Sequence, residues 1–290
     1  MNKYDLITGF ADEIAQDLDT QIDGLKKLGM RYVEMRGVDG GNLIFHSNDK
    51  VKEIKTKLDD AGIKLSALGS PLGKIGITEF FEPHFEAFKR AVEIAHMMDT
   101  HNIRMFSFYM PSEDGEISSG IRDEVFERLG KFADYAAAND VCLLHENEKG
   151  IYGAKAKECR EIMDAFAGEH FKAIFDFANF VQVGQDTLEA YELLKDYIVY
   201  IHVKDAINGS GKVVPAGFGD GNVGEILTRL FNSGFNGFLS LEPHLFDFDG
   251  FAGLEKRVVS APFYEEGKKL DGFSAFSLSY NALTAILGEI

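Results

Sequence analysis

The sequence is poor in cysteine and contains no long apolar run, which excludes two classes of protein. Only two cysteines occur among 290 residues, too few for the disulfide framework of a small secreted protein. No segment approaches the ~20 apolar residues that are needed to cross a bilayer, and the first residues lack the pattern of a signal peptide. We therefore expect a cytoplasmic protein with reduced thiols and no membrane partner.

Basic residues are also scarce relative to acidic ones. Thirty lysines and arginines against 47 aspartates and glutamates give a formal net charge of -17. The average surface therefore repels phosphate backbones, and we expect no nucleic-acid partner. With 45% hydrophobic residues the chain can bury a large core, and no proline-rich or low-complexity linker divides it. One domain over residues 1–290 is the simplest interpretation.

Short apolar or β-branched runs alternate with longer segments of helical periodicity along the whole chain. This alternation is typical of βα units on a parallel sheet, and eight such units can be counted. The sequence therefore predicts an α/β protein with a (β/α)₈ TIM barrel in a single domain. The predicted strands cover residues 6–10, 32–36, 64–68, 102–107, 141–146, 171–176, 198–203 and 237–241. The predicted helices cover residues 17–28, 49–61, 80–98, 122–139, 155–167, 187–194, 223–233 and 273–287.

Glycines mark the ends of several predicted helices. Gly29, Gly62 and Gly234 each follow a segment of helical period and lead into a strand, where a left-handed C-cap is expected. An open doubly wound sheet is the alternative, but the first predicted turn, residues 9–13, lacks the glycine fingerprint of such sheets. The least regular stretch spans residues 246–272, and a loop of this length is more often functional than not.

Polar side chains stand at the ends of four consecutive predicted strands. Strands five to eight end at or beside Glu146, Asp176, His202 and Glu242, which are spaced 30, 26 and 40 residues apart. In a barrel the C-terminal ends of adjacent parallel strands converge at one mouth, so these side chains can meet in one coordination sphere. Three uncompensated carboxylates would repel one another there, and a divalent cation removes that penalty. The pattern therefore indicates a metal site.

The types of these residues restrict the metal. Three carboxylates and one imidazole suit Mn²⁺, Mg²⁺ or Co²⁺ better than a structural zinc site rich in thiolates. We therefore expect one divalent metal ion, with Mn²⁺ preferred and Mg²⁺, Co²⁺ and Zn²⁺ as alternatives. An ion that favours six ligands keeps two positions open for vicinal oxygens of a substrate. The site would suit a hydroxy-carbonyl compound.

The strings around these residues resemble a known family. HENE, FDFAN, HVKD and LEPH, with the opening GFADE, resemble the sugar phosphate isomerase/epimerase superfamily of xylose-isomerase-like TIM barrels. The resemblance implies one Mn²⁺-type ion and acid/base chemistry on a carbohydrate or polyol. In ketose 3-epimerases of this superfamily two metal-bound glutamates face opposite sides of the substrate carbon, and Glu146 and Glu242 match those positions. Related barrels are often dimers or tetramers, so a homo-oligomer is one option.

Proton abstraction next to a carbonyl begins each reaction that the resemblance implies. A cation across two substrate oxygens stabilises the enediolate, and a well-placed carboxylate base contributes a further ~10²–10⁴-fold in rate. Return of the proton from the far face gives epimerisation, return at the neighbouring carbon gives isomerisation, and loss of a β-hydroxyl gives dehydration. The sequence favours an isomerase or epimerase of a sugar, sugar phosphate or keto-polyol, with a keto-inositol-type dehydratase as the alternative.

Further polar residues near the strand ends are candidates for substrate contacts. Lys204 shares a strand face with His202 and could neutralise an oxyanion, so we predict that it is catalytic together with the two glutamates. His145 should point away from the metal in a regular strand, and a core histidine is its alternative role. Glu34 ends strand two beside Arg36, with which it could pair. The predicted substrate-binding residues are His145, Glu148, Asn179, His244 and Glu34.

A glycine-rich loop at residues 215–222 leads into the seventh predicted helix. Glycine allows close backbone approach and a helix N-terminus favours anions, so this loop could hold a substrate phosphate. It lacks the lysine and the serine or threonine of a P-loop. A plain flexible turn is therefore the alternative.

The chain departs from the ketose 3-epimerase pattern in two places. Asn179 stands where those enzymes carry a histidine, and the residues after HVKD include no arginine like the one that they use on the substrate. Both departures leave the substrate class open. Endonuclease IV resembles the same barrel, but its three zinc ions need strand-end histidines that this chain lacks. A C-glycoside-cleaving subunit and a non-catalytic sugar-binding barrel are further alternatives.

Overall fold

The computed structural model of the chain describes residues 2–111, 118–245 and 270–290. Eight parallel strands form one sheet that curls into a nearly closed barrel. The strands are β1 (Ile7–Gly9), β2 (Tyr32–Met35), β3 (Lys64–Leu68), β4 (Asn102–Met105), β5 (Cys142–Glu146), β6 (Phe171–Asp176), β7 (Ile198–Val203) and β8 (Phe238–Leu241). Their hydrogen-bonded order is β1-β8-β7-β6-β5-β4-β3-β2, and β1 packs beside β2 to close the circle. The predicted α/β (β/α)₈ TIM barrel is therefore confirmed.

Helices follow the strands and cover the outside of the barrel, as the alternating pattern predicts. The polar and apolar faces of most of them match the helical period of the sequence, so that one face can pack on the sheet. The helices are α1 (Leu18–Lys27), α2 (Asn48–Ala61), α3 (Glu82–Met97), α4 (Ser119–Ala138), α5 (Ala156–Phe166), α6 (Phe177–Gln182), α7 (Thr187–Leu194), α8 (Val223–Asn232) and α9 (Gly272–Glu289).

Capping residues set the ends of these helices. Ser118 accepts a hydrogen bond from the backbone N–H of Ile121, so α4 begins earlier than the predicted start at residue 122. Gly62 has a φ of 71° and closes α2 in the left-handed conformation that the sequence predicts there. Periodicity missed α6, a short helix that starts directly after β6 with Asp176 as its N-cap.

Alternation along β5 separates the barrel interior from the surrounding helix layer. Leu144 packs with Ala67 and Tyr200 in a small apolar cluster inside the barrel. Leu143, one residue earlier, belongs to the large core between strands and helices. The next interior position after Leu144 is Glu146, because side chains of a strand alternate between its two faces. Glu146 therefore stands above an apolar plug at the C-terminal mouth of the barrel.

Residues 246–269 lie outside the described residues, and most of the irregular stretch predicted at 246–272 falls among them. In the parts of the chain that the structure does describe, no helix is both long enough and apolar enough to cross a membrane.

Candidate metal centre

Four buried side chains from adjacent strands converge at the mouth of the barrel. Glu146 ends β5, Asp176 ends β6, His202 lies in β7 and Glu242 directly follows β8. The parallel register pairs Asp176 with His202, which places their side chains at one level of the barrel. One ligand atom from each of the four residues lies within 4.8 Å of the others. The structure thus brings together the four residues that the sequence singles out as ligands.

The imidazole of His202 has a fixed orientation in this cluster. Its Nδ1 lies 2.8 Å from Glu146 Oε1, 3.7 Å from Glu242 Oε2 and 3.9 Å from Asp176 Oδ2. Its Nε2 lies 3.1 Å from Glu34 Oε2, and that oxygen also accepts a hydrogen bond from Ser240. A carboxylate on the far nitrogen is the usual support of a metal-binding histidine, because it fixes the ring and its tautomer.

Protons stabilise this arrangement of acids in the cation-free protein. Burial lowers the pKa of His202, but the charges of Glu146 and Glu34 outweigh it and raise the pKa to about 10. Burial raises the pKa of Asp176 to about 7, although Lys204 opposes the shift. Burial acts in the same direction on Glu146, but His202 and Arg104 hold its pKa at about 2. A proton on His202 must therefore leave before the imidazole can bind a cation.

The described residues fit a hard divalent cation. Asp176 Oδ2 is buried and accepts no hydrogen bond from the described part of the chain. Such an oxygen is costly in a protein interior unless a cation compensates it. Lys204 Nζ lies 3.1 Å away and compensates it in part. Oxygen-rich donors with one imidazole are the set that Mn²⁺ and Mg²⁺ accept in proteins, so Glu146, Asp176, His202 and Glu242 could hold such an ion.

Lys204 lies between two of the candidate ligands. Its Nζ is 2.7 Å from Glu242 Oε2 and 3.1 Å from Asp176 Oδ2, and the side chain is buried. Burial alone would lower the pKa of Lys204, but these two acids raise it well above its ordinary value. The residue is therefore an ammonium ion that faces the mouth, where it can neutralise negative charge.

Two buried arginines also reach the cluster. The sequence suggested a pair with Glu34 or a contact with sugar hydroxyls for Arg36, and it suggested no role for Arg104. Arg36, just after β2, donates to both carboxylate oxygens of Asp12 at 2.8 and 3.0 Å and to Glu242 Oε1 at 3.0 Å. Its ion pairs within the described residues are with Asp12, Glu13 and Glu242, whereas Glu34 contacts His202. Arg104 in β4 donates from Nη1 to Glu146 Oε2 at 3.2 Å. The signal for Arg104 was present, since it is a charged residue inside an apolar predicted strand.

A family model for the xylose isomerase-like TIM barrel matches residues 22–256 of the chain. The chain belongs to this family. A search of curated proteins gives no match. The model covers all strands from β2 to β8 and therefore all four candidate ligands.

Solved structures share the fold at low sequence identity. The probable 3-DHS dehydratase AsbF of Bacillus anthracis, which is involved in petrobactin synthesis, is 17% identical with a TM-score of 0.70 over 96% of this chain and 98% of that one. D-Psicose 3-epimerase from Clostridium cellulolyticum H10, solved with D-tagatose, is 16% identical with a TM-score of 0.71 over 97% and 98% of the two chains. A xylose isomerase-like TIM barrel protein from Mycobacterium smegmatis, in complex with magnesium, is 16% identical with a TM-score of 0.64 over 94% and 91%.

Three of the predicted substrate-binding residues lie around the ligands of this xylose isomerase-like barrel. Asn179 donates to the backbone oxygen of Asn147 at 2.9 Å and lies 3.4 Å from Glu146 Oε1, so it touches a ligand directly. Glu148 is close to the mouth and forms an ion pair with Lys74 at 3.1 Å. His244 Nε2 lies 3.4 Å from Glu242 Oε1.

The other two predicted substrate-binding residues lie elsewhere. Glu34 is buried beneath His202, away from the open mouth, and its position suits orientation of the imidazole. His145 is on the opposite face of β5, where it stacks near Phe171 and packs against Gly153. Burial lowers the pKa of His145 to about 4, so it is a neutral core side chain. Because β5 stays regular up to its last residue, the expectation that His145 reaches the substrate is wrong.

The glycine-rich loop at residues 215–222 already holds an anion, which is a carboxylate of the protein itself. Asp205 Oδ2 accepts the backbone N–H groups of Gly217 and Gly219, both at 3.0 Å, and Oδ1 accepts that of Gly221 at 2.8 Å. A Cβ atom on Gly221 would lie 2.7 Å from Asp205, so the close approach requires glycine there. The proposal that these N–H groups bind a substrate phosphate is therefore wrong.

Proposed function

We propose that the protein is a divalent-metal-dependent isomerase or epimerase that acts on a small carbohydrate or polyol. The observation that carries the proposal is the buried convergence of three carboxylates and one imidazole at the mouth of the barrel. We further propose Mn²⁺ as the preferred ion, with Mg²⁺, Co²⁺ and Zn²⁺ as alternatives. Magnesium in the Mycobacterium smegmatis neighbour supports a hard divalent ion, and the epimerase from Clostridium cellulolyticum supports the reaction class.

The proposed reaction begins with removal of a proton from a carbon next to a carbonyl. A cation held by these four residues would act as a Lewis acid and would stabilise the negative charge that develops on the substrate. Glu146 and Glu242 belong to β5 and to the end of β8, which are separated by two strands of the barrel. Carboxylates that reach a substrate from two sides of the mouth can divide the work, since one removes the proton and the other returns it.

Other residues prepare these two glutamates. The ammonium group of Lys204 lies 2.7 Å from Glu242 Oε2 and faces the region where an oxyanion would form. Glu34 keeps Nδ1 of His202 turned toward the acids. Asn179 binds both Glu146 and the backbone next to it, which restricts the position of that carboxylate. These contacts would hold the catalytic groups in place before a substrate arrives.

A dehydratase of a keto-polyol is the second candidate function. It shares the initial proton abstraction and differs in the loss of a β-hydroxyl group. Lys204 is the observation that favours this alternative, because its buried ammonium group lies at the mouth, 2.7 Å from Glu242 Oε2, where it can stabilise negative charge on a departing hydroxyl oxygen. The probable dehydratase from Bacillus anthracis has the same fold.

A cytoplasmic location and a homo-oligomer remain predictions.

Metal analysis and isotope exchange test the proposal together. Purified protein is titrated with Mn²⁺, and ketoses, keto-inositols and their phosphates are then incubated with it in D₂O. We expect one bound ion per chain and deuterium at a carbon next to the carbonyl of at least one compound. Glu146→Gln and Glu242→Gln should each abolish the exchange, whereas Glu161→Gln, on an exposed ion pair with Arg122, should not. Product mass separates the candidates, because dehydration removes one water.

Absence of Mn²⁺ binding by the wild-type protein would contradict the metal-dependent mechanism. Unchanged exchange in both glutamine variants would show that the catalytic groups lie elsewhere.

A further inference from the structure

We propose, on the basis of the metal-dependent function above, that Arg104 is a further catalytic residue whose guanidinium group binds a negatively charged oxygen of the substrate beside the cation. Arg104 belongs to β4, in the half of the barrel that contributes none of the four candidate ligands. The side chain is buried and reaches the ligand cluster from β4, the neighbour of β5 in the sheet, so that Nη1 lies 3.2 Å from Glu146 Oε2.

The two arginines at the mouth differ in what neutralises them. Arg36 is held by Asp12 through two hydrogen bonds of 2.8 and 3.0 Å, and Asp12 is not one of the candidate ligands. Arg104 has no such partner among the described residues: its carboxylate contacts are Glu146 at 3.2 Å and Glu242 at 3.9 Å. The charge of Arg36 is therefore matched whether or not a cation is bound, whereas the charge of Arg104 depends on two ligands of that cation.

Binding of a cation changes the surroundings of Arg104 more than those of Arg36. Glu146 and Glu242 share their negative charge with an ion that they bind, which leaves less for the guanidinium group. A cation and an arginine that face the same carboxylates also repel each other. An anionic oxygen between them replaces the negative charge that Arg104 loses and offsets the repulsion between the arginine and the ion. It can accept a charge-assisted hydrogen bond from Arg104 while it faces the ion. A substrate oxygen that gains negative charge during proton abstraction would meet this requirement.

Arg104 also has N–H donors that can bind an incoming acceptor. Its Nε is buried and has no hydrogen-bond partner among the described residues. Nη2 has a single long contact, at 3.5 Å, with the backbone oxygen of Gly69. The guanidinium carbon lies 4.8 Å from the ring centre of Phe10 and 5.1 Å from that of Phe106. These two aromatic rings restrict the position of the group, while several of its N–H donors lack strong acceptors.

Binding of glycolate to the Mn²⁺-loaded full chain tests this role without an assay of turnover. Glycolate offers a hydroxyl and a carboxylate oxygen to a cation and carries the negative charge that Arg104 is proposed to contact. We expect Arg104→Met to weaken glycolate binding about tenfold or more, as loss of a charge-assisted hydrogen bond does. The affinity for Mn²⁺ should not fall, since Arg104 is no ligand and its positive charge opposes that of the ion. Isothermal titration calorimetry measures both constants.

Arg128→Met is the matched control. Arg128 in α4 is also buried and also has a nitrogen without a hydrogen-bond partner in the described residues, but its ion pair is with Glu124 on its own helix. Its loss should leave both constants unchanged. If Arg104→Met does not fold or does not bind Mn²⁺, then Arg104→Lys, which keeps the charge, must bind Mn²⁺ and still lose several-fold in glycolate affinity.

The outcomes separate the two proposals. Wild-type glycolate affinity in an Arg104 variant that binds Mn²⁺ normally would overturn the role of Arg104 and leave the metal-dependent function standing. Failure of the wild-type protein to bind Mn²⁺ would overturn the proposed function itself.

Discussion

Two buried polar clusters in this barrel have opposite balances of donors and acceptors. Asp205 is one carboxylate surrounded by backbone N–H groups, from Ala206, Gly217, Gly219 and Gly221, at 2.8 to 3.0 Å. At the mouth, three carboxylates share the donors of His202, Lys204 and two arginines, yet an oxygen of Asp176 accepts no hydrogen bond from the described residues. The first cluster is complete within the protein, whereas the second contains polar atoms that no described residue satisfies. A complete cluster serves the fold, and an incomplete one indicates a ligand.

Loss of Asp205 should have the largest effect on stability. Asp205→Ala leaves four backbone N–H groups without this acceptor, two of them in buried residues, and we expect the free energy of unfolding to fall by about 3 kcal/mol. Binding of Mn²⁺ to the folded fraction should not change. Urea denaturation monitored by circular dichroism measures the difference. Asp220→Ala is the control, because Asp220 is an exposed acid of the same loop with one N–H contact, to Asn208. An equal loss of unfolding free energy in both variants would show that Asp205 is no more important to the fold than an exposed acid of the same loop.

Asp176→Asn should weaken the binding of Mn²⁺ and leave the stability of the fold intact, which is the reverse of the effect of Asp205→Ala. The amide oxygen can still cap α6, where Asp176 now accepts from Asn179 at 2.8 Å. The affinity for Mn²⁺ should fall by about 100-fold or more, since even supporting residues of metal sites are worth ~10–100-fold. The cation-free protein should be no less stable than wild type, because one member of a crowded set of acids is gone. A large loss of stability without metal would show that this cluster, like that of Asp205, is complete on its own.

These two cases also show where sequence reasoning succeeds and where it stops. Each of the four candidate ligands lies at or beside the end of an apolar strand. Parallel strands of a barrel bring such residues to one mouth, so chain order alone predicts that they meet. The loop at residues 215–222 was considered as a site for a substrate phosphate, but its N–H groups bind Asp205 instead. Its partner could not be predicted, because a hairpin of Asp205–Ala206 with Val213–Val214 folds the carboxylate back onto the loop.

Arg104 and Asp12 were missed for a related physical reason. Whether a charged side chain in or after a strand points to the mouth, to a helix or to another charge depends on the rotation of the strand and on its neighbours. Sequence alternation fixed the side for His145, whose predicted alternative as a core residue is what the structure contains. It did not predict that Arg36 would bind Asp12 and leave Glu34 to His202.

The pH dependence of metal binding should distinguish the cluster at the mouth from the cluster around Asp205. The pKa of His202 in the cation-free protein is raised from 6.5 to about 10. Protonation of His202 therefore contributes its full stabilisation to the folded protein without cation below pH ~6.5. This contribution is lost as the pH rises toward 10. A cation competes with the same proton, so the affinity for Mn²⁺ should increase up to about tenfold per pH unit between 7 and 10. Calorimetry at several pH values, in buffers of different ionisation enthalpy, should also detect a released proton. A flat profile would contradict protonation of His202.

Glu34→Gln should have the smallest of these effects. The glutamine keeps an oxygen for Ser240 but removes the charge that orients His202, and we expect about tenfold weaker Mn²⁺ binding. The pKa of His202 should also decrease, and an NMR titration of its imidazole ring measures that change. Wild-type affinity and an unchanged titration would restrict Glu34 to a role in packing.

The place where the barrel closes gives the charged mouth a second consequence. Backbone pairing runs from β1 around the circle to β2 and does not join these two strands to each other. Side chains connect them instead: Asp12, after β1, holds Arg36, after β2, and accepts the N–H of Gly37 at 3.1 Å. Arg36 in turn reaches Glu242 beyond β8. The ion pairs that connect this seam thus end on Glu242, one of the four candidate ligands, so that any change in the charge of Glu242 acts on the contacts that join the first two strands.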